Sequence, residues 1–480
     1  MSSISRIAKN TAVMIIGEIT GKVLSLIFVI YVARYLQAEG FGTLSFALAF
    51  AGMFHIFSDI GFYELTVREV ARDKRLAGKF VGNVMIIKAI LVAIVFGLMC
   101  LTINAMGYPH RTVIIVYIVG LSIVFDAFSV ISNAIFQAFE RLEFITIGTV
   151  LRGLLLVVGG IVAVKYSWGI LAFALLYLLA SLVVLVYSLS LMIAKFAKPK
   201  FEVDLDFWKF LLREGVPFWA SAVLTTIFYN IDKVMLSAMV GNEAVGYYSA
   251  AYRLVTSLNI IPLAVIASIY PVTSRLYISS RNSLMFAFER SLKYMIILGI
   301  FIIVIVSLLS KRIILFIYGE NYYKSIIVFQ ILIWSEVFLF VNSNIRNLLK
   351  SINKQIIIMY VCVYGVLLNV AMNALLIPKY SYVGASMATV LTEVNVLIIY
   401  SYWIVKNGYG LSNSTLFSIL KGTILAMLLS IVCIFLKEVY GVNISVTIFA
   451  LIFIILLYIL KIIDDIDIKL IKETLNFIKL

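Results

Sequence analysis

Apolar stretches of about 20 residues recur along the whole chain between short polar or basic segments, and as helices they are long enough to cross a hydrocarbon core of roughly 30 Å. Fourteen spans can be drawn, at 10–33, 41–62, 81–106, 112–137, 145–164, 168–194, 214–238, 246–272, 293–316, 326–347, 356–377, 383–406, 416–436 and 442–462. An even number places both termini on one side. The two longest linkers, "ELTVREVARDKRLAGKF" and "KFAKPKFEVDLDFWKFLLREG", fall on that same side. In the second, Phe201, Leu205, Trp208 and Leu212 recur at helical spacing among charges, which predicts a helix lying along the membrane surface. The tail "DDIDIKLIKETLNFIKL" has a similar pattern. A solvated linker is the competing reading of each.

The first twelve spans divide six and six about the linker at 195–213. "EGFGTLSFA" (Glu39 to Ala47) aligns with "EAVGYYSAA" (Glu243 to Ala251) as E-x-x-G-x-x-S-x-A, at an offset of 204. "KYSWGILAFA" from Lys165 aligns with "KYSYVGASMA" from Lys379 if one residue is gapped. Six-helix halves repeated in parallel are a known transporter plan, with the substrate site between them near mid-membrane. The expected organisation is therefore an N-terminal lobe over 1–194, an interfacial linker over 195–213, a C-terminal lobe over 214–406, and two added spans with an amphipathic tail over 407–480.

Composition agrees with a polytopic all-α membrane protein. Of 480 residues 63% are hydrophobic and 13% charged, against about 45–50% apolar and 25% charged in soluble domains. The net charge of +15 could suggest a nucleic-acid partner, but the basic residues cluster between spans. Assigned to the nearer side, 26 Lys and Arg lie with the termini, eight lie opposite and five lie within spans. By the positive-inside rule both termini are cytoplasmic, in a multi-pass protein of the cell membrane, with membrane lipids and not nucleic acid as its surroundings. Cys100, Cys362 and Cys433 are scattered within spans and indicate neither a disulfide framework nor a metal site.

Several spans carry polar residues on one helical stripe: Asp126, Ser129, Asn133 and Gln137; Ser221, Thr225 and Asp232; Glu336, Ser343 and Asn347; Ser386, Thr389 and Glu393. Such stripes face a bundle interior or an aqueous cavity, because lipid offers polar groups no partners. Interhelical hydrogen bonds and internal ion pairs are the structural alternative to a transport path. Glu18 and Lys22 are one turn apart, flanked by Gly17 and Gly21, and could neutralise each other, as could Asp232 and Lys233. Arg253, Arg152 and Lys88 have no acid within a helical turn. Each either pairs with an acid on another helix, with Asp126, Glu336 and Glu393 available, or meets an anionic substrate. The position matching Arg253 in the first half is Ala49, so symmetry of packing does not demand an arginine there. Arginine also engages phosphate oxygens bidentately.

The chain has no Walker A sequence, and no HExxH, GxSxG, GxGxxG or Cys/His metal spacing. The short loops opposite the termini leave little room for a polymerase or ligase. A transporter without catalytic residues, metal or cofactor is the expected class. Coupling to the membrane potential or to a Na⁺ or H⁺ gradient stays open, with Asp126, Asp232 and Glu393 as carriers.

The stretches "ARYLQAEGFGTLSFALAF", "FSDIGFYELTVREVARD", "FYNIDKVMLSAMVGNEAVGYYSAAYRL" and "LNVAMNALLIPKYSYVGASMATVLTE" resemble the polysaccharide-transporter branch of the multidrug/oligosaccharidyl-lipid/polysaccharide exporter superfamily, from about residue 5 to 405. The resemblance implies two six-helix lobes in a V around a central cavity, alternating between inward- and outward-open forms. It implies a flippase for a polyprenyl-phosphate- or pyrophosphate-linked oligosaccharide, working beside glycosyltransferases or a polymerase of the same pathway. Arg253 falls where related lipid II flippases carry an arginine in their eighth span, and Arg152, Lys88 and Lys22 would assist it. Glu18, Asp126, Asn133, Gln137, Thr225, Asp232, Glu336, Asn347 and Glu393 would line the cavity. The relatives' further arginines in spans one and two are absent here, which favours a lipid-linked glycan other than lipid II. By analogy, spans thirteen and fourteen would line a groove for the lipid tail. The rival readings are a drug/cation antiporter on the same fold, which needs an acidic cavity, a membrane glycan polymerase or ligase, and a scaffold that retains the fold without transport.

Overall fold

The computed structural model describes residues 3–460 and 462. Among them are fourteen α-helices and three short 3-10 turns: α1 (Ser3–His55), α2 (Phe62–Arg72), α3 (Ala77–Ala105), α4 (His110–Ala138), α5 (Glu143–Lys165), α6 (Ile170–Lys195), α7 (Leu205–Met239), α8 (Asn242–Ser257), α9 (Ile260–Ser279), α10 (Arg281–Tyr318), α11 (Ser325–Ser351), α12 (Gln355–Lys406), α13 (Asn413–Tyr440) and α14 (Val442–Ile459). Eleven helical segments are long and apolar enough to cross a membrane. The protein is an all-α, multi-pass membrane protein.

The count of fourteen spans follows once three features are resolved. At 53 residues, α1 would run about 80 Å if straight, far beyond one crossing. It breaks at Gln37, whose φ of 58° is left-handed, and so holds spans one and two. A like break at Ser381 (φ 53°) divides α12 into spans eleven and twelve. Span seven lies in α7, outside the eleven segments, because Asn230, Asp232 and Lys233 lower its hydropathy. The eighth span is discontinuous: α8 ends at Ser257, and tight i→i+3 hydrogen bonds carry the chain through 255–261 into α9.

Backbone turns recur along the chain at offsets close to that of the sequence repeat. Left-handed residues recur in corresponding turns of the two halves, at Gln37 and Gly241, Gly107 and Gly319, Glu140 and Asn353, and Ser167 and Ser381, with offsets of 204, 212, 213 and 214. In the pair Ser167 and Ser381 neither residue is glycine or asparagine, so at that place the chain accepts unfavourable backbone in both halves.

The chain groups into two compact units. Unit 1 holds the chain to Arg253 with Ile317–Tyr322 and Asn373–Ala385, and unit 2 holds Leu254–Phe316, Tyr323–Met372 and the described chain from Ser386. This grouping differs from the six-and-six division of the sequence, because α7 and most of α8 pack with the first six spans. Glycines make that packing close. A Cβ on Gly42 would fall 1.7 Å from the Asn242 carbonyl oxygen, and one on Gly246 would fall 1.9 Å from that of Ala38. These contacts are reciprocal, since 42 and 246, like 38 and 242, are related by the repeat offset; the glycines shared by the two E-x-x-G motifs meet across a pseudo-two-fold seam. At the other end of α7, a Cβ on Gly215 would lie 2.0 Å from the Ile60 carbonyl oxygen.

The linker is also part of unit 1. It is irregular over 197–204 and helical from Leu205, where the Asp204 carboxylate caps α7 by accepting from the Phe207 N–H at 2.9 Å. The helix expected from Phe201 onward starts at Leu205 and runs on into span seven as one helix, and its start is pinned: Lys79 pairs with Asp204 at 2.7 Å, and the Trp208 indole donates to Asn83 at 2.9 Å. The Lys79 ammonium holds the Asp204 carboxyl below its usual range. The C-terminal amphipathic pattern lies outside the described residues.

In unit 2, the core of α10, α11 and α12 is built on Leu284, Phe288, Val341, Ile345 and Tyr400. A second cluster, with Val304, Ala426, Cys433, Phe449 and Phe453, packs α13 and α14 on α10.

Candidate functional site

The charged side chains of unit 1 form a connected chain. Lys88 on α3 is 1% exposed. Its ammonium pairs with Asp59 at 2.7 Å and donates to the Ala127 carbonyl at 2.9 Å. The expectation that Lys88 meets substrate is corrected by this geometry: its charge is satisfied inside the protein. The partner is an acid from the turn before α2, where Asp59 also accepts from the Phe62 N–H at 2.7 Å and so fixes the start of that helix. Arg152 on α5 pairs with Asp126 on α4 at 2.8 Å, the ion pair that the sequence left as one of two readings. His55 is within electrostatic reach of Lys88, Asp126 and Asp59.

The span-seven dipeptide Asp232–Lys233 does not neutralise itself. Asp232 is buried and accepts from the Tyr248 hydroxyl at 2.6 Å and from the Asn373 amide at 2.5 Å. Lys233 has its ammonium over the Tyr252 ring at 4.8 Å, and it feels the charge of Asp232 first and of Arg253 second. Neighbouring positions on a helix point about 100° apart, so the sequence already carried the signal that these two side chains diverge. The sequence reading took Lys233 only as a possible partner for Asp232, and the structure brings it beside Tyr252.

Arg253 is exposed and donates to the Ser25 hydroxyl on α1. Tyr177 on α6 is within electrostatic reach of both Arg253 and Arg152, and its ring packs edge-on to Phe28. The repeat counterpart of Arg253, Ala49, is 2% exposed and packed in the core. Arg253, Lys233, Ser25, Tyr252 and Tyr177 thus gather on α1, α6, α7 and α8. The arrangement can do one thing well: present two positive charges with hydroxyl and aromatic neighbours to an anion.

Other expected residues take varied places. In unit 1, Glu18, Lys22 and Thr225 are exposed, and Asn133 is half-buried. Gln137 accepts from the Tyr63 hydroxyl. In unit 2, Glu336, Asn347 and Glu393 are buried instead of lining an open cavity. Asn347 donates weakly to Thr273 at 3.4 Å, and Glu393 accepts from the Asn342 amide at 2.7 Å. Among the described residues no group of three or more His, Cys, Asp or Glu is placed to hold a metal ion.

Two large cavities are found, neither of them lined by Arg253, Lys233, Ser25, Tyr252 or Tyr177. A polar cleft of about 820 Å³ in unit 1 lies beside the glycine seam, among Gln37, Glu39, Thr43, Arg111, Asn242 and Glu243. An apolar cavity of about 630 Å³ in unit 2 runs between α10, α11 and α13, lined by Ile300, Val304, Trp334, Phe338 and Met427, with Lys437 and Gln330 at its margin.

The chain resembles proteins from archaea and bacteria. It is 24% identical over 408 residues to the uncharacterized membrane protein MJ1375 of Methanocaldococcus jannaschii, covering 82% of this chain and 96% of that one. It is 23% identical over 393 residues to the probable low-salt glycan biosynthesis flippase Agl15 of Haloferax volcanii, covering 80% and 81%. Among solved structures, the lipid II flippase MurJ in an inward closed conformation superposes with a TM-score of 0.74 at 16% identity, covering 92% of this chain and 97% of that chain. The MatE family model matches residues 217–375. The polysaccharide biosynthesis protein model matches residues 7–277, more than half of the chain, and the protein belongs to that family.

Proposed function

We propose that this protein is a flippase that moves a polyprenyl-phosphate- or pyrophosphate-linked oligosaccharide from the cytoplasmic to the outer leaflet of the cell membrane, with both termini in the cytoplasm. The observation that carries the reading is the pairing of Arg253 with Lys233 at membrane depth. Placing cations within spans is expensive, and lipid gives nothing in return. An anion bound there gains charge-assisted hydrogen bonds in a low-dielectric setting. Arg253 supplies the planar fork for phosphate oxygens, Lys233 the second charge, and Ser25 a hydroxyl. Arg152 and Lys88 act at one remove, by holding Asp126 and Asp59 in neutral pairs so that the site stays net positive. The exposed Glu18, Lys22 and Thr225 with Asn133 and Gln137 form the sugar path. The apolar cavity under α13 fits an isoprenoid tail.

Membership in the polysaccharide biosynthesis family and the similarity to Agl15 support a lipid-linked glycan. The positive pair argues against a cationic drug as substrate. Outward movement of the phosphate charge is favoured by an inside-negative potential, by about 2.3 kcal/mol per charge per 100 mV. The glycosyltransferases that build the glycan and a polymerase that consumes it are the expected pathway partners.

The test is binding of a polyprenyl-pyrophosphoryl oligosaccharide to purified protein in nanodiscs. Arg253→Ala and Lys233→Ala are each expected to weaken binding by about tenfold to a hundredfold, the equivalent of one charged hydrogen bond, with the size-exclusion profile unchanged. Equal binding by wild type and both variants would remove this site from the reading.

A further inference from the structure

The E-x-x-G motifs carry two carboxylates that the transport path does not use. Glu39 and Glu243, related by the repeat offset of 204, both line the polar cleft of about 820 Å³ in unit 1. Arg111, Gly169, Asn242 and Asn321 line it too, and all of these residues sit in or beside turns that share one property. Each turn leads from an odd-numbered span to an even-numbered one: one to two, three to four, five to six, seven to eight, nine to ten. With both termini in the cytoplasm, the cleft therefore opens on the outer face.

The floor of the cleft is held in place by a chain of hydrogen bonds. Asn242 donates to the Thr43 hydroxyl at 3.1 Å across the glycine seam and accepts from Ser237 at 2.6 Å, which accepts in turn from Tyr108 at 2.9 Å. Glu243 accepts from the Tyr247 hydroxyl at 2.6 Å. Around that floor the chemistry is uncommitted. The side chains of Gln37, Glu39, Arg111 and Asn321 are exposed and make no hydrogen bond or ion pair among the described residues. Gly169 leaves room for the Arg111 guanidinium, which lies 3.6 Å from where a Cβ would stand.

One cation against two anions makes this cleft a poor place for phosphate, in contrast to Arg253 with Lys233. Among the described residues its acids belong to no group of three that could hold a metal ion. Sugar hydroxyls suit it, because each of them both donates and accepts. Glu39 offers acceptors, Arg111 offers donors, and the amides of Gln37, Asn242 and Asn321 offer both. The Tyr35 ring, half-buried against Phe173, adds an apolar surface for the C–H face of a sugar ring. The volume lies within the range of about 300–1,000 Å³ usual for small-ligand sites. We propose that the cleft is a saccharide-binding site on the outer face, with Glu39 and Arg111 as its main hydrogen-bonding groups, and that it takes up the sugars once the phosphate head has crossed. The role in transport rests on the flippase reading; the saccharide site itself does not.

The probe is the oligosaccharide that mild acid releases from the polyprenyl lipids of the source cells, free of phosphate and of lipid. Titration calorimetry of the purified full chain in nanodiscs reads its binding. Glu39→Gln and Arg111→Gln are each expected to weaken that binding by about tenfold to a hundredfold, with the size-exclusion profile unchanged because both side chains are exposed. Arg253→Ala, which loses the phosphate site, should still bind the phosphate-free glycan. No binding by wild type, or equal binding by wild type and both cleft variants, overturns the saccharide site. Loss of binding in Arg253→Ala alone would put the glycan at the phosphate site and overturns it as well. In right-side-out vesicles a membrane-impermeant maleimide should label Asn321→Cys above the wild-type background, and the glycan should slow that labelling. Labelling from the opposite side only overturns the outer placement. Translocation of the intact lipid-linked oligosaccharide in proteoliposomes tests the flippase reading apart. Wild type that binds the released glycan but moves no lipid keeps the saccharide site and loses the transport role, and wild type that moves the lipid but binds no released glycan does the reverse.

Discussion

The two units provide differently for the charges in their spans. In unit 1 the ionisable groups are of both signs, and the cations Lys88 and Arg152 are matched by Asp59 and Asp126. In unit 2 the deep groups around α11 and α12 are two carboxyls served by one guanidinium, and Glu336 lacks a partner among the described residues. The repeat sets Arg253 in the second half against the buried Ala49 in the first, so the backbone plan does not fix the charge: each deep charge depends on a few side chains while the fold depends on the apolar remainder.

The sharpest way to break this contrast is to neutralise one charge in each unit. Lys88→Met strands the Asp59 carboxylate, and breaking a buried pair in this way costs about 3–5 kcal/mol. Glu336→Gln removes an acid whose Oε2 has no partner to strand, so its expected cost is smaller. Thermal unfolding in detergent should show a large drop in midpoint for the first and a smaller one for the second. Equal drops would mean that Glu336 holds a partner whose loss costs as much as the Lys88–Asp59 pair.

A smaller effect is expected at the glycine seam of unit 1. Gly246→Val places a side chain against the Ala38 carbonyl, where even a Cβ would sit at 1.9 Å, so the backbones of α1 and α8 must part. Overpacking of this kind costs about 1–3 kcal/mol. Cysteines at Ala38 and Asn242 should cross-link less efficiently in the valine variant than with Gly246 in place. Unchanged cross-linking would show that the seam is not held by the glycines.

The smallest effect concerns the linker. Because Lys79 depresses the Asp204 carboxyl, that contact contributes stability above the usual carboxylate range and loses it as pH falls through the lowered range. Emission from Trp208, in a variant with the other tryptophans replaced by phenylalanine, should shift on acidification as the indole leaves Asn83. Asp204→Asn should remove that acid transition.

Much of the fold is legible in the sequence because each span is a local property: some 20 apolar residues satisfy the membrane whatever surrounds them. The repeat is legible for a related reason. The E-x-x-G and K-Y-S motifs mark turns whose backbone is strained or tightly packed, and Ser167 and Ser381 are left-handed at the same motif position. The presence of Arg253 and Glu336 in spans is equally plain, since a charge in a hydrophobic run stands out on hydropathy alone.

The partners of those charges are another matter. Lys88 meets Asp59 from a turn 29 residues away, Asp232 turns to Tyr248 and Asn373 and not to the lysine beside it, and Glu393 takes the donor that Glu336 lacks. The grouping of α7 with the first six spans likewise depends on glycine-to-backbone contacts across the seam. The sequence by itself determined where the chain crosses the membrane and which ionisable groups it takes in. Only the tertiary structure decided which of them are neutralised, because pairing between helices depends on rotation and packing, to which the hydropathy of a span is indifferent.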